Sequence, residues 1–286
     1  MRDPDLDALL ARLGVDAEPP SPDALFALHR AFVEKVPYET TWIALGERWD
    51  VDARAALHRI VHGSRGGYCF HLNGSLALLL EHLGFVVTRH VGGVHGPEPD
   101  PDALTNHLVL TVGGLPTPAN PGGRWYVDAG LGDALHEPLP LVPGEHRQDP
   151  WTFRLEAVTD GVGDWRLHHD PRGGFGAMSF RDEPTTLDVF ADRNVELSTS
   201  PDSSFVKVLT AQRRSAGRVE VVRGLILELI EAGGRTTRDL TDREEWFGVL
   251  AERFGLTFDD VGPEALDDLW GGLLARHEAF RARHPA

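Results

Sequence analysis

The sequence predicts an α+β protein of several domains, because its hydrophobic pattern changes twice along the chain. Apolar residues first recur at helical spacing, and from residue 85 to about 192 short β-rich runs alternate with Gly/Pro turns. The remaining segment mixes strand-like runs with amphipathic helices. A chain of 286 residues normally divides into more than one core. We therefore predict a helical domain at 1–84, a β-barrel or sandwich at 85–195 and an α/β domain at 196–286.

Four helices are predicted in the N-terminal region, because each helical apolar run lies between a capping residue and a stop signal. The predicted helices run from Asp3-Pro4 to Gly14, from Ser21-Pro22 to Pro37, from Asp52 to Gly63, and from Cys69 to Gly84. In the fourth helix, Cys69, Asn73 and Leu76 recur at spacings of four and three. They therefore share one face, which we expect to pack against the core.

Strands and further helices are predicted in the rest of the chain from β-rich runs and their turn signals. The predicted strands are 85–94, 107–112, 125–128, 151–158, 165–168, 205–212 and 219–230. Two amphipathic helices are predicted near 242–254 and 263–283.

The charge balance argues against nucleic acid and anionic membranes as partners. The chain carries 28 Lys and Arg against 44 Asp and Glu, a formal net charge of −16. Acidic residues near the N-terminus are unlike an export signal, and Glu81 and His82 interrupt the longest apolar stretch, 76–87. We therefore expect a cytoplasmic protein with no membrane span.

Cys69 is the only cysteine, which excludes an internal disulfide and a multi-thiolate zinc site, and no metal site is predicted. It opens a helix, where backbone N–H groups and the helix dipole favour a thiolate. Two glycines and Arg65 precede it. A nucleophilic cysteine is one interpretation of this pattern, and a small buried apolar residue is the other.

A base for the cysteine is predicted at His107, which opens an apolar strand. The next strand ends at Asp128. If Thr111 pairs with Arg124 in an antiparallel ladder, His107 lies opposite Asp128, and their Cβ atoms are about 5 Å apart. A carboxylate there would orient the imidazole, completing the set of groups needed for acyl transfer through a thioester.

These residues lie in motifs that resemble the arylamine N-acetyltransferase family, whose fingerprint is RGGxCxExN, a strand histidine, and VDxGxG. The matching segments are RGGYCFHLN at 65–73, TNHL at 105–108, VDAGLG at 127–132, VPYE at 36–39, STSPDSSF at 198–205 and QR at 212–213. The resemblance covers nearly the whole chain and keeps the motif order.

The resemblance implies a helical bundle, a β-barrel and an α/β lid around a cysteine-protease-like core with a Cys69, His107 and Asp128 triad. It also implies ping-pong transfer of an acetyl group from acetyl-CoA to an arylamine, arylhydrazine or N-hydroxyarylamine. Acyl-CoA is then a co-substrate, and no permanently bound cofactor is expected.

Further site residues are predicted by the same resemblance. Tyr38, Phe70 and His71 are assigned to substrate binding; Glu39, Arg65 and Asn73 to support of the site, with Glu39 paired to Arg65; and Gly130, Gly132 and Phe205 to the cofactor. The chain departs from the family pattern at His71, where the family has Glu, and at Thr40, where it has Asn. We expect an intact triad with altered specificity.

Other functions remain open at this point. The same fold and triad serve amide synthases that release a longer acyl chain from CoA or from an acyl carrier protein onto an amine. A non-catalytic protein that keeps the fold is another alternative, and a cysteine peptidase is a more distant one.

Overall fold

The computed structural model describes residues 3–283, which form an α+β protein. Its helices are α1 (Pro4–Leu13), α2 (Pro22–Lys35), α3 (Thr41–Ala44), α4 (Ala53–Gly63), α5 (Cys69–His82), α6 (Ala191–Thr199), α7 (Ser204–Lys207), α8 (Arg243–Phe254) and α9 (Pro263–Arg283), with 3-10 turns at Pro101–Ala103 and Leu187–Phe190. Its strands are β1 (Tyr38–Glu39), β2 (Val86–His95), β3 (His107–Gly113), β4 (Trp125–Val127), β5 (Leu139–Pro140), β6 (Gly144–Gln148), β7 (Trp151–Ala157), β8 (Trp165–His168), β9 (Ala177–Pro184), β10 (Thr210–Ser215), β11 (Arg218–Arg223), β12 (Ile226–Glu231) and β13 (Gly234–Asp239).

The N-terminal helices begin at the predicted caps. The Asp3 carboxylate accepts from backbone N–H groups at the start of α1, Ser21 does so for α2, and Asp52 does so for α4. Gly14 ends α1 in the left-handed conformation. At the end of α4 the structure differs from the prediction, because Gly63 remains helical and Ser64 takes the left-handed position.

An eight-stranded antiparallel sheet follows the helices, with strand order β5-β4-β3-β2-β9-β8-β7-β6. Its two edge strands, β5 and β6, are separated along the chain only by residues 141–143. The edges therefore lie close together, and the sheet is nearly closed into a barrel. The sequence did not indicate β5, β6 or β9; the first is short, and β6 and β9 are rich in charged residues along part of their length.

A five-stranded antiparallel sheet lies in the C-terminal third, in the order β1-β10-β11-β12-β13. Its first strand, β1, comes from the helical region, with Tyr38 paired to Gln212 and Glu39 to Ala211. The chain thus returns across more than half of the sequence to complete this sheet.

Two strand predictions in this third were wrong. The segment predicted as a strand at 205–212 begins as α7 and becomes strand only at β10, because Ser203 caps a helical turn. The segment 219–230 is a hairpin of β11 and β12, because Gly224 adopts a positive φ of 57° between them.

Three apolar cores correspond to the three parts of the chain. The first joins α1, α2, α4 and α5 to one face of β3 and β4, the second fills the barrel-like sheet, and the third lies between β10–β12 and helices α8 and α9. We keep 1–84, 85–195 and 196–286 as proposed domain boundaries. Within residues 3–283, no helix is both long and apolar enough to span a membrane.

We predict that Leu76→Ala destabilises the protein by about 2–5 kcal/mol, because Leu76 is fully buried in the first core and its truncation leaves a cavity. Val86→Ala is the matched control, since Val86 is 67% exposed, and its change in unfolding free energy should stay within about 0.5 kcal/mol. Urea titration followed by tryptophan fluorescence measures both. Equal midpoints for the two variants would show that the α5 stripe is not part of the core.

Candidate active site

Two glycines shape the turn that leads into α5. A Cβ on Gly66 would lie 1.9 Å from the carbonyl oxygen of Pro37, and Gly67 has a φ of +81°. Neither position accommodates an L side chain without moving the backbone. The turn therefore packs directly on the segment that precedes β1, and this contact sets where α5 begins.

Cys69 is the first residue of α5 and lies at the edge of a cleft. Its side chain faces the start of β3, where Sγ donates to the carbonyl oxygen of Asn106 at 3.6 Å and the sulfur is near enough to His107 to raise the pKa of the imidazole. The residue is only 3% exposed. The sulfur thus lies at a helix N-terminus beside an imidazole, at the edge of the cleft.

His107 and Asp128 are in direct contact, although the predicted strand register was wrong. His107 Nε2 donates to Asp128 Oδ2 at 2.7 Å, and both side chains are buried. The ladder pairs Thr111 with Tyr126, whereas we expected Thr111 opposite Arg124. This shift of two residues keeps His107 and Asp128 on the same face, so they meet diagonally beyond the end of β4.

Asp128 accepts three further hydrogen bonds. Tyr126 Oη donates to Oδ2 at 2.6 Å, while Asn73 Nδ2 and the Gly130 N–H donate to Oδ1 at 2.8 Å and 2.9 Å. Burial alone would raise the pKa of Asp128, but His107 and these donors together hold its pKa below the usual value. The carboxylate is therefore ionised although it is buried.

The protonation of His107 follows from these neighbours. Burial disfavours its charged form, but the carboxylate of Asp128 and the sulfur of Cys69 outweigh that cost and raise the pKa of His107 to about 10. Because Nε2 is bonded to Asp128, Nδ1 is the ring nitrogen left for the sulfur. The imidazole can hold or release a proton beside Cys69.

Asn73, which we assigned to support of the site, connects α5 to both strands. In addition to Asp128, its Nδ2 group donates to the carbonyl oxygen of Leu108 at 2.7 Å, and its Oδ1 accepts from the Ala129 N–H at 2.9 Å. One amide side chain thus joins the helix that carries Cys69 to the strand that carries His107 and to the turn after Asp128. Tyr126, a fourth partner of Asp128, was not predicted, although its position two residues before Asp128 on the same strand face could have indicated it.

The cleft beside Cys69 and His107 has a volume of about 310 Å³, which is within the range of small-molecule sites. Its walls come from all three parts of the chain and combine apolar, aromatic and polar side chains. The lining residues are Tyr38, Cys69, Val94, Asn106, His107, Gly130, Leu131, Asp133, Gly174, Phe175, Leu197, Ser204, Phe205, Gln212 and Arg223.

Of the predicted ligand-binding residues, Tyr38, Gly130 and Phe205 line this cleft. A Cβ on Gly130 would lie 2.7 Å from the Cα of Cys69, so the glycine permits close packing against the nucleophile. Gly132 does not line the cleft; it packs against the Gln212 side chain, whose Oε1 would be 2.5 Å from an added Cβ.

Phe70 and His71, which we assigned to substrate binding, do not line the cleft. Both are fully buried on the helical side of α5, where Phe70 packs against Phe190 at a ring-centroid distance of 5.0 Å. His71 lies at 5.6 Å from each of Trp42 and Trp49. Helix geometry explains the difference, because positions one and two after Cys69 point away from the face that Cys69 presents.

His71 caps the first turn of α5. The Tyr68 N–H donates to His71 Nδ1 at 3.3 Å, and His71 Nε2 donates to the carbonyl oxygen of Asp50 at 2.9 Å. Burial, followed by the nearby charge of Arg59, lowers the pKa of His71 to about 3. The ring is therefore neutral. Its Nδ1 accepts a hydrogen bond from the backbone N–H of the N-cap residue, as a Glu or Gln side chain does at the third position of a helix in a capping box.

Glu39 and Arg65 do not form the ion pair that we expected; within residues 3–283 each has other partners. Glu39 accepts from the Gly67 N–H at 3.0 Å and from the Thr41 N–H at 2.7 Å. Arg65 instead pairs with Glu47 at 3.2 Å and Asp260 at 3.4 Å. Because Glu39 is committed to backbone N–H groups around the turn, it supports the start of α5 without Arg65.

A cationic side chain in the cleft comes from Arg223, at the end of β11. On the adjacent strand β10, Arg213 pairs with Glu220 at 2.5 Å, and Arg214 is buried over the ring of Trp151.

Comparison with known proteins identifies the family. Residues 22–261 match the sequence profile of the N-acetyltransferase family. The chain belongs to the arylamine N-acetyltransferase family. It is 31% identical to the arylamine N-acetyltransferase of Mycolicibacterium smegmatis over 268 residues, covering 90% of this chain and 94% of the relative. The enzyme of Mycobacterium tuberculosis is 30% identical over 287 residues, covering 98% of this chain and 97% of the relative.

Solved structures of the family have the same fold. The arylamine N-acetyltransferase of M. tuberculosis superposes with a TM-score of 0.81 at 28% identity, covering 95% of this chain and 99% of that one. The Mycobacterium marinum enzyme in complex with CoA gives a TM-score of 0.79 at 28% identity, with coverages of 95% and 97%. Membership in this family confirms that the chain is an enzyme and that the predicted α+β class is correct.

We predict that His71→Gln is tolerated and that His71→Glu is not. A glutamine can accept from Tyr68 and donate to Asp50, whereas a glutamate cannot donate to the Asp50 carbonyl oxygen and buries a charge. We expect His71→Glu to cost about 1–3 kcal/mol more than His71→Gln in unfolding free energy. Chemical denaturation of the two variants gives this difference, and equal stability would contradict the proposed capping role.

Proposed function

We propose that this protein transfers an acetyl group from acetyl-CoA to an aromatic amine, hydrazine or N-hydroxyarylamine through an acyl-cysteine on Cys69. The observation that carries this proposal is that Cys69 and His107 line one cleft together with the aromatic rings of Tyr38, Phe175 and Phe205. Those rings suit a flat aromatic acceptor placed next to the sulfur. Acetyl transfer to arylamines is also what the names of the relatives describe.

In the first half-reaction, the Cys69 thiolate attacks the carbonyl carbon of the acyl thioester, forming a new C–S bond. The bond to the CoA sulfur then breaks, and the leaving thiolate takes a proton from the His107 imidazolium. The products are acyl-Cys69, free CoA and neutral His107. The position of Cys69 and His107 side by side in the lining of one cleft supports this proton transfer.

In the second half-reaction, the amine nitrogen attacks the acyl-Cys69 carbonyl carbon, forming the amide C–N bond. The C–S bond breaks, Cys69 leaves as a thiolate, and His107 takes the proton of the nitrogen. His107 is then an imidazolium again, stabilised by Asp128. The cycle ends with the charges of the resting site restored.

The third part of the chain acts as a lid in this proposal. Leu197, Phe205, Gln212 and Arg223 from 196–286 line the cleft that also contains Cys69. Arg223 supplies positive charge for the phosphate groups of CoA in a protein whose net charge is −16. Phe205 and Gly130 lie where they can contact the pantetheine arm or the acyl group.

Intact-mass analysis after mixing the protein with acyl-CoAs tests the intermediate. We expect a gain of one acetyl group with acetyl-CoA and none in Cys69→Ser or Cys69→Ala, because the sulfur is the acceptor. Adding an arylamine should then return the enzyme to its original mass. Exclusive acylation by long-chain acyl-CoAs would instead support an amide synthase, and no acylation by any donor would support a non-catalytic protein.

The pH dependence of Cys69 alkylation tests the imidazolium. The pKa of His107 is raised above its ordinary value of 6.5 to about 10, so its positive charge persists through neutral pH and is lost as the pH rises through about 10. We therefore expect iodoacetamide to react at a nearly constant rate from pH 7 to 9. An alkylation rate that instead increases with a midpoint near pH 8.5 is typical of an ordinary thiol and would contradict the pairing of a Cys69 thiolate with the His107 imidazolium.

Asp128→Asn removes the largest cause that raises the pKa of His107. We expect it to lower acetyl transfer by about a thousandfold or more and to slow alkylation at pH 7. Tyr126→Phe is the matched control, because it removes one hydrogen bond to Asp128 and leaves the carboxylate in place. If both variants lose activity equally, the charge of Asp128 is not what matters.

A further inference from the structure

A cluster of two imidazoles and a carboxylate lies on the helical region where α1 packs against α4. It consists of Asp5 on α1 and of His58 and His62 on α4. The potential ligand atoms of the three residues all lie within 4.8 Å of one another. None of the three lines the cleft that contains Cys69.

The arrangement follows from helix geometry. His58 and His62 are four residues apart, so both rings lie on the same face of α4, with centroids 4.4 Å apart. Asp5 presents one carboxylate oxygen to each ring: His58 Nδ1 is 3.3 Å from Oδ2, and His62 Nε2 is 3.0 Å from Oδ1. Both rings therefore point at one carboxylate across the helix pair.

These distances match those between ligands of a metal ion. In a tetrahedral zinc site with bonds of about 2.0–2.1 Å, adjacent ligand atoms lie about 3.3 Å apart. The two ring nitrogens lie 3.3 Å and 3.0 Å from the carboxylate oxygens that face them, and one potential ligand atom from each residue lies within 4.8 Å of the other two. The exposed rings, at 65% and 53% side-chain exposure, are free to turn toward a shared ion. Imidazole and carboxylate are ligands that bind first-row divalent metals well.

We propose that Asp5, His58 and His62 bind a divalent first-row transition-metal ion, with zinc as the reference ion and water completing its coordination. The local charge favours a cation, since Asp5 and Asp7 lie in the first turn of α1 and the nearby Arg54 is paired with Asp3. The ion would join α1 to α4, which packs against the helix that begins at Cys69. Its role is thus structural and separate from acyl transfer.

Zinc titration by isothermal calorimetry tests this site in a Cys69→Ala background, which removes the thiolate that would compete for the metal. We expect one zinc ion per chain, with affinity at least about tenfold weaker in His62→Gln and in Asp5→Asn, because each loses one ligand. His82→Gln is the matched control: His82 is exposed, on the neighbouring helix and outside the cluster, and zinc affinity should be unchanged.

Thermal denaturation of the same variants separates ligand loss from misfolding. Without metal, all variants should unfold near the temperature of the Cys69→Ala background. With zinc at about one hundred times Kd, that background and His82→Gln should gain about 5 °C, and His62→Gln should gain much less. Equal zinc affinity in His62→Gln and His82→Gln, or no binding in the background protein, overturns the proposal and leaves a histidine–aspartate hydrogen-bonded cluster.

Discussion

A buried carboxylate organises this molecule. Asp128 is removed from water, and its charge is balanced by His107 together with donors from Asn73, Tyr126 and Gly130. These four partners come from different elements: the start of β3, helix α5, strand β4 and the turn after β4. A buried charge without partners costs several kcal/mol, so these elements cannot separate without leaving the Asp128 carboxylate unpaired or exposing it to water. The need to satisfy one carboxylate therefore aligns the helical region with the barrel-like sheet.

The cleft beside this network combines groups from all three parts of the chain. Cys69 belongs to the helical region, His107 to the barrel-like sheet, and Phe205 and Arg223 to the C-terminal third, yet all four line one cleft. The backbone around Cys69 is tightly packed, because Gly66 lies against Pro37 and Gly130 lies against Cys69. These backbone contacts determine the position of the Cys69 sulfur. The outer walls of the cleft consist of side chains that differ in size and polarity.

Much of this could be predicted from the sequence where the signal was local. Capping residues located α1, α2 and α4, the spacing of apolar residues located α5, and the motifs pointed to Cys69, His107 and Asp128. What failed depended on distant partners: the strand register was displaced by two, Glu39 binds backbone N–H groups and not Arg65, and His71 is buried between tryptophans. The His58 and His62 spacing was visible, but Asp5 is brought to it only by the packing of α1 on α4.

The return of β1 to the C-terminal sheet has a mechanical consequence. Tyr38 and Gln212 are paired across that ladder, and both also line the cleft. Swinging the C-terminal third away from the nucleophile would break main-chain hydrogen bonds, not only side-chain contacts. The C-terminal third therefore covers the cleft as a wall tied to the helical region through its backbone, and we expect small molecules to reach the sulfur through smaller movements of side chains and turns.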